Sequence, residues 1–155
     1  MHKENIDFIK NENLVKENQL TFLLGYVLSE EENILAIFED IQVESSLNPV
    51  KGYFEEENAY ILTNKKIIII MIKENSEIVD ITPIKSIRKI SIERDTPSDC
   101  NKDWYTSVNR VKNIVIEFKK LDPITINKFD ANEHFSRQLL KEKAVNFIKK
   151  INEII

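Results

Sequence analysis

Two histidines, one cysteine and a run of three carboxylates are the residues of this 155-residue chain whose types could do acid–base, nucleophilic or metal chemistry. Catalysis by histidine needs a second group to orient the ring, and neither His2, near the N-terminus, nor His134 has such a partner in sequence. Cys100 has only Lys102 as a basic neighbour, too little to mark an activated thiolate. One cysteine and two scattered histidines make no zinc set. Glu55-Glu56-Glu57 could meet a cation or a basic partner, but a strand sends alternate side chains to opposite faces, so the run reads as a solvated strand start. Phosphate-cradling loops and nucleophile elbows need glycine where the backbone turns sharply, and Gly25 and Gly52 belong to no such motif. No catalytic residue, cofactor site or metal site is read here, and no enzymatic activity is expected.

Binding chemistry is better represented. The segment from Thr96 to Arg110 is longer than most connections between strands, and long ordered loops in compact domains are often functional. It carries the single tryptophan, Trp104, followed by Tyr105 and then Arg110, the residue types that anchor interfaces. Two readings stay open: Trp104 and Tyr105 meet a partner, or Trp104 folds back over an open barrel edge. The 26 acids and 22 bases leave a net charge of −4, which repels phosphate backbones and anionic lipid at long range, so nucleic acid is not expected as a partner. A lone cysteine forms no internal disulfide, no leader-like segment opens the chain, and no apolar run approaches the roughly 20 residues that span a bilayer. The chain reads as a reduced, cytoplasmic protein.

The elements that must position these residues follow from hydrophobic periodicity. A helix is expected over about Asn13 to Leu28, largely buried at its end through Leu20, Phe22, Leu23, Leu24, Tyr26, Val27 and Leu28. Alternation over Ile34 to Glu44 predicts a strand with one wet face, and Ser45 to Gly52 a loop. Tyr53 to Thr63 and Lys66 to Ile72 predict a hairpin, whose second strand is nearly pure isoleucine and should be buried on both faces. Further strands are expected over Glu77 to Ile81, Ile84 to Ile92, Ile114 to Lys119 and Ile124 to Phe129. Asp130 and Glu133 have the spacing of a capping box, opening a helix over 130–155. Leu140, Ala144, Phe147, Ile148, Ile151, Ile154 and Ile155 give it one apolar face, with Lys141, Lys143, Lys149 and Lys150 elsewhere. Seven strands and an amphipathic helix imply an α+β domain of two orthogonal antiparallel sheets, a partly closed barrel over 30–155 plugged by the helix. Residues 1–29 form an N-terminal helical extension packed on it.

That order of elements, with Glu32-x-Ile34-Leu35, Tyr60-Ile61-Leu62-Thr63-Asn64-Lys65-Lys66-Ile67-Ile68, Ile81-x-Pro83-Ile84-x-Ser86-Ile87 and Phe147-Ile148-x-x-Ile151, resembles the bacterial pleckstrin-homology-like domains over about Glu30 to Ile155. The resemblance implies a seven-stranded superbarrel capped by a C-terminal helix, a scaffold used mainly to bind lipids, peptides or other proteins. Phosphoinositide-binding members place several bases on the first two strands and their loop. Here that region reads Glu39, Asp40, Glu44, Lys51, Glu55, Glu56 and Glu57, so membrane phosphoinositide is not expected. Lys65, Lys66 and Lys73 read as solvated turn lysines. The expectation is a non-enzymatic interaction module that takes a protein or peptide through the Trp104 loop or a sheet edge, with a homo-oligomer left open. The alternative is a barrel holding a small apolar or amphipathic ligand, with the N-terminal helix as its lid. An interior filled by side chains favours the first; a cavity with a few convergent polar groups favours the second.

Overall fold

Isoleucines on consecutive positions of a strand point to both faces of its sheet, and both faces then need cover. The computed structural model describes residues 1–40, 57–96, 107–130 and 135–155, and it supplies that cover from opposite ends of the chain. Strands β1 (Ile34–Glu39), β2 (Glu57–Thr63), β3 (Lys66–Ile72) and β4 (Glu77–Pro83) form one antiparallel sheet in sequence order. Strands β5 (Ile87–Arg94), β6 (Val111–Phe118) and β7 (Ile124–Ile126) form a second. The β2–β3 hairpin pairs Leu62 with Ile67 and Tyr60 with Ile69, and the buried Thr63 hydroxyl accepts the Lys65 and Lys66 amides at 3.1 and 3.0 Å to shape its turn.

Helices α1 (Lys3–Asn11) and α2 (Glu17–Val27) lie on the outer face of the first sheet, where Ile9, Leu20 and Leu24 pack with Ile61, Ile68 and Ile70. The inner face packs on the second sheet and on helix α3 (Arg137–Ile154), through Phe38, Tyr60, Ile67, Ile114, Phe147 and Ile151. Burial of the isoleucine run is complete on the outer face, through Ile68, Ile70 and Ile72, and partial on the inner one, where Ile67 is buried and Ile69 and Met71 are half-buried. The fold is α+β as expected. The barrel, however, is not closed: among the described residues the sheets share no strand pairing, and β7 is only three residues long.

Several expected boundaries shift, each for a local reason. The helix expected over Asn13 to Leu28 starts instead at Glu17 as α2, because Asn13 adopts φ 52°, a left-handed turn that asparagine tolerates, and α1 lies ahead of that turn. The amides of Val15 and Lys16, just ahead of α2, donate to the buried Glu39 carboxylate of β1 at 2.8 and 3.2 Å, and Asp40, expected on the wet face of that strand, is buried as well. Leu20, Leu24 and Leu28 are buried against the sheet, with Leu23 and Val27 half-buried beside them, whereas Phe22 and Tyr26 are exposed and stack edge to face on each other at 5.2 Å. Helix α3 begins at Arg137, not 130, because Ser136 accepts the Leu139 amide at 3.2 Å as N-cap, with buried Phe135 before it and Leu140 in the same core. Asp130 instead pairs with Arg137 at 3.6 Å. Ile154 and Ile155 leave the apolar face and are exposed, whereas Lys141 is buried, its Nζ donating to the Asn109 carbonyl at 2.7 Å. The expected strand from Ile41 to Glu44, the loop Ser45 to Gly52, the strand start Tyr53 to Glu56 and the Glu133 position lie outside the described residues. Among the described residues no helix is long and apolar enough to cross a membrane.

Candidate functional site

Of the expected interaction residues, Trp104 and Tyr105 lie outside the described residues. Arg110 ends a short 3-10 turn, Val108–Arg110, and is only 7% exposed. Its Nε donates to the Asp95 carbonyl at 2.9 Å while the Asp95 amide donates back to the Arg110 carbonyl at 2.7 Å. Arg94 adds a bond to the Ser107 carbonyl at 3.2 Å. Arg110 thus clamps the neck of the segment that carries Trp104 and Tyr105, at the end of β5.

The residues first weighed for chemistry prove structural where they are described. His2 is the N-cap of α1, its Nδ1 accepting the Asn5 amide at 3.4 Å. Its Nε2 meets the Glu32 carbonyl at 2.9 Å and Asn33 Oδ1 at 3.0 Å, two acceptors that call for the proton on that nitrogen. Lys66 is partly buried rather than solvated, paired to Glu32 at 2.9 Å and donating to the Val27 carbonyl at 2.8 Å. Lys65 and Lys73 are exposed, as expected of turn lysines. Glu57 is buried, with Lys16 Nζ at 3.9 Å, so it is not a solvated strand start. Cys100, His134, Glu55 and Glu56 lie outside the described residues, among which no group of three or more His, Cys, Asp or Glu is placed to hold a metal.

Two of the concavities among the described residues, neither legible as a motif, have room for a partner segment or a ligand. The first runs between β5 and the end of α3: among the described residues β5 pairs only with β6, and beside it lies a groove of about 280 Å³ lined by Arg88, Lys89, Ile90, Ile92, Ile148 and Ile155 among others. Ile92 and Ile155 are exposed there, and Ile90 is half-buried.

The second opens on the inner face of the first sheet, where the short β7 fails to cover it. Register places Tyr60, Ile69 and Asp80 side by side across β2, β3 and β4, all on that inner face. With Asn58, Met71, Thr82 and the β6–β7 turn, including Leu121 and Asp122, they line a cleft of about 470 Å³. Behind Tyr60 sits Asp40, 5% exposed, accepting the Tyr60 hydroxyl at 3.2 Å and the Asn58 amide at 2.8 Å. Burial pushes its carboxyl above the usual range, against the opposing pull of the Asn58 bonds, the Lys128 charge and the Tyr60 bond. Helices α1 and α2 lie on the opposite face of the sheet from this cleft, so they are no lid for it.

No protein-family model and no curated protein matches the sequence. Solved structures do match in shape. A DUF1696 family protein with a pleckstrin-homology domain from Shewanella loihica PV-4 superposes with a TM-score of 0.51 at 13% identity, over 88% of this chain and 91% of that one. The hSac2 domain from human phosphoinositide phosphatase Sac2 gives 0.50 at 12%, over 92% and 83%. At such identity the likeness is one of fold, and it agrees with the two sheets and terminal helix described above: the chain has a pleckstrin-homology-like fold.

Proposed function

We propose that this chain is a bacterial pleckstrin-homology-like interaction module of the cytoplasm, an open superbarrel without enzymatic activity that takes an extended protein or peptide segment along β5. The observation that carries this reading is the edge of β5 that pairs with no strand among the described residues, beside the apolar end of α3. A segment added there gains main-chain hydrogen bonds from the edge, while alternate side chains cover Ile90, Ile92 and Ile155. Arg88 and Lys89 favour acidic residues on the flanks of that segment. The chain leaving β5 carries Trp104 and Tyr105 and returns at Ser107, so an aromatic contribution to the same partner is part of the proposal. Selection from a library of random peptides tests it. Enriched sequences should alternate apolar and acidic residues, protect β5 amides from hydrogen exchange, and lose binding to an Ile92→Arg variant. Peptides that protect other strands and bind the variant equally would overturn it.

A second reading, a barrel that holds a small amphipathic ligand, is favoured by the inner cleft of about 470 Å³, a size within the roughly 300–1,000 Å³ range of ligand pockets.

A further inference from the structure

We infer that the outer edge of β4, with the flank of α2 that carries Phe22 and Tyr26, is the contact between two copies of this chain related by a two-fold axis at Ile81. Among the described residues β4 pairs only with β3. Along an antiparallel pair, successive residues turn their backbone groups to one edge of the strand and then the other. The Lys73 amide donates to the Ser76 carbonyl at 2.8 Å and the Ile84 amide to the Lys65 carbonyl at 3.1 Å. Even positions from 76 to 84 therefore face β3, and Glu77, Val79, Ile81 and Pro83 turn their backbone outward. Proline fits that parity, since its missing N–H takes nothing from the β3 ladder. The side chains of Val79 and Ile81 stand opposite Ile70 and Ile68, on the face that α2 covers. Helix α2 runs along the strand: Gln19 donates to Glu77 at 2.7 Å at one end, and the Val27 carbonyl accepts from Lys66, the partner of Pro83, at 2.8 Å at the other. Phe22, Leu23 and Tyr26 follow Gln19 by three, four and seven positions and so share its flank. Phe22, Tyr26 and Ile81 are 66, 74 and 47% exposed, which leaves three large apolar side chains in water along one edge.

What this edge asks of a partner is its own sequence read in reverse. A two-fold axis at Ile81 sets that residue against Ile81 of the second copy, Val79 against Pro83, and Asp80 against Thr82, whose hydroxyl can donate to a carboxylate. The two Ile81 residues exchange amide and carbonyl bonds, and each Val79 amide reaches the Pro83 carbonyl of the other copy. An axis at Asp80 would instead oppose two aspartates. The exposed charges at the start of β4 are Lys73, Glu74 and Glu77, one acid in excess, and those beside its end are Lys65 and Lys85, both bases. Antiparallel pairing sets the acidic start against the basic end twice, with Glu77 level with Lys85 of the second copy. A strand of seven residues is about 23 Å long, and strand and helix layers together are about 20 Å deep, roughly 450 Å² a copy and at the weak end of specific interfaces.

Sedimentation equilibrium of the full chain from about 1 μM to about 1 mM tests the inference, with amide hydrogen exchange at both ends of that range. Monomer should pass to dimer and to nothing larger, because a two-fold contact closes on itself. The amides of Val79 and Ile81 should exchange about tenfold or more slowly in the concentrated sample, while those of Ile78 and Asp80, already turned to β3, keep their rates. Ile81→Lys puts two like charges on the axis and should leave the chain monomeric throughout at an unchanged thermal midpoint, since the side chain is exposed. Lys85→Glu should weaken dimerisation about threefold or more, and adding Glu77→Lys to the same chain should restore it. A monomer at every concentration, or a dimer that Ile81→Lys leaves intact, overturns the inference. A dimer that Ile92→Arg breaks and Ile81→Lys does not lies on β5 and overturns it as well.

Discussion

Glu32 and Asp40 are two buried carboxylates held in opposite senses. Burial alone would raise the Glu32 pKa, but the Lys66 hydrogen bond, the Ser29 amide, the Lys66 charge and the Thr63 hydroxyl together outweigh it and hold the carboxyl below its ordinary 4.5. The folded state therefore releases that proton more readily than the unfolded chain. Its stabilisation is present above the unfolded value and is lost as pH falls through the folded one. Asp40 runs the other way: its folded pKa is raised from 3.8, so its contribution is fullest at low pH and is lost as pH rises through the folded value. Urea unfolding at neutral and acid pH should separate the two. Glu32→Gln should cost about 1–3 kcal/mol at neutral pH, since Lys66 and Thr63 lose a charged partner, and should lose less further stability on acidification than the parent. Asp40→Asn should steepen the acid loss. Slopes that shift in the same direction in both variants would contradict the assignment.

Helix α3 shows how an element's pattern and its packing part company. The sequence puts Ile151, Ile154 and Ile155 on one apolar face, yet Ile151 is fully buried while Ile154 and Ile155 are 39% and 64% exposed. Ile151→Ala should cost about 2–5 kcal/mol, and Ile154→Ala should stay within about 0.5 kcal/mol. Thermal melts of the two variants check this; equal losses would mean that the end of the helix packs more closely than described. The same divide explains what was legible. The β2–β3 hairpin and the extent of β3 could be read because turn chemistry and isoleucine density are local signals. The turn at Asn13 could not, because the Val15 amide that follows it is held by Glu39, 24 positions further along the chain, which only folding brings there. Asp80 and Asp122 carried no signal either. Asp80 becomes a cleft residue only through the register of β4 on β3, and Asp122 only because β7 stops short.

At the scale of the whole molecule, charge decides between the lipid and non-lipid uses of a pleckstrin-homology-like fold. The cleft presents Asp80 and Asp122 with buried Asp40 behind them, and in the sequence the stretch between β1 and β2 holds Glu44, Glu55 and Glu56 against the single base Lys51. Lys66, a base that might have offset them, is committed to Glu32 on the far side of the hairpin turn. With a net charge of −4 the chain gains nothing from approaching an anionic surface, and the screening length of about 8 Å at physiological salt confines any help from Lys65 or Lys73 to direct contact. Flotation with vesicles containing phosphoinositide at physiological salt should therefore leave the protein in the unbound fraction. The same experiment at low salt distinguishes weak, non-selective attraction by scattered lysines, which salt abolishes. Saturable, head-group-selective binding that survives physiological salt would refute the charge argument.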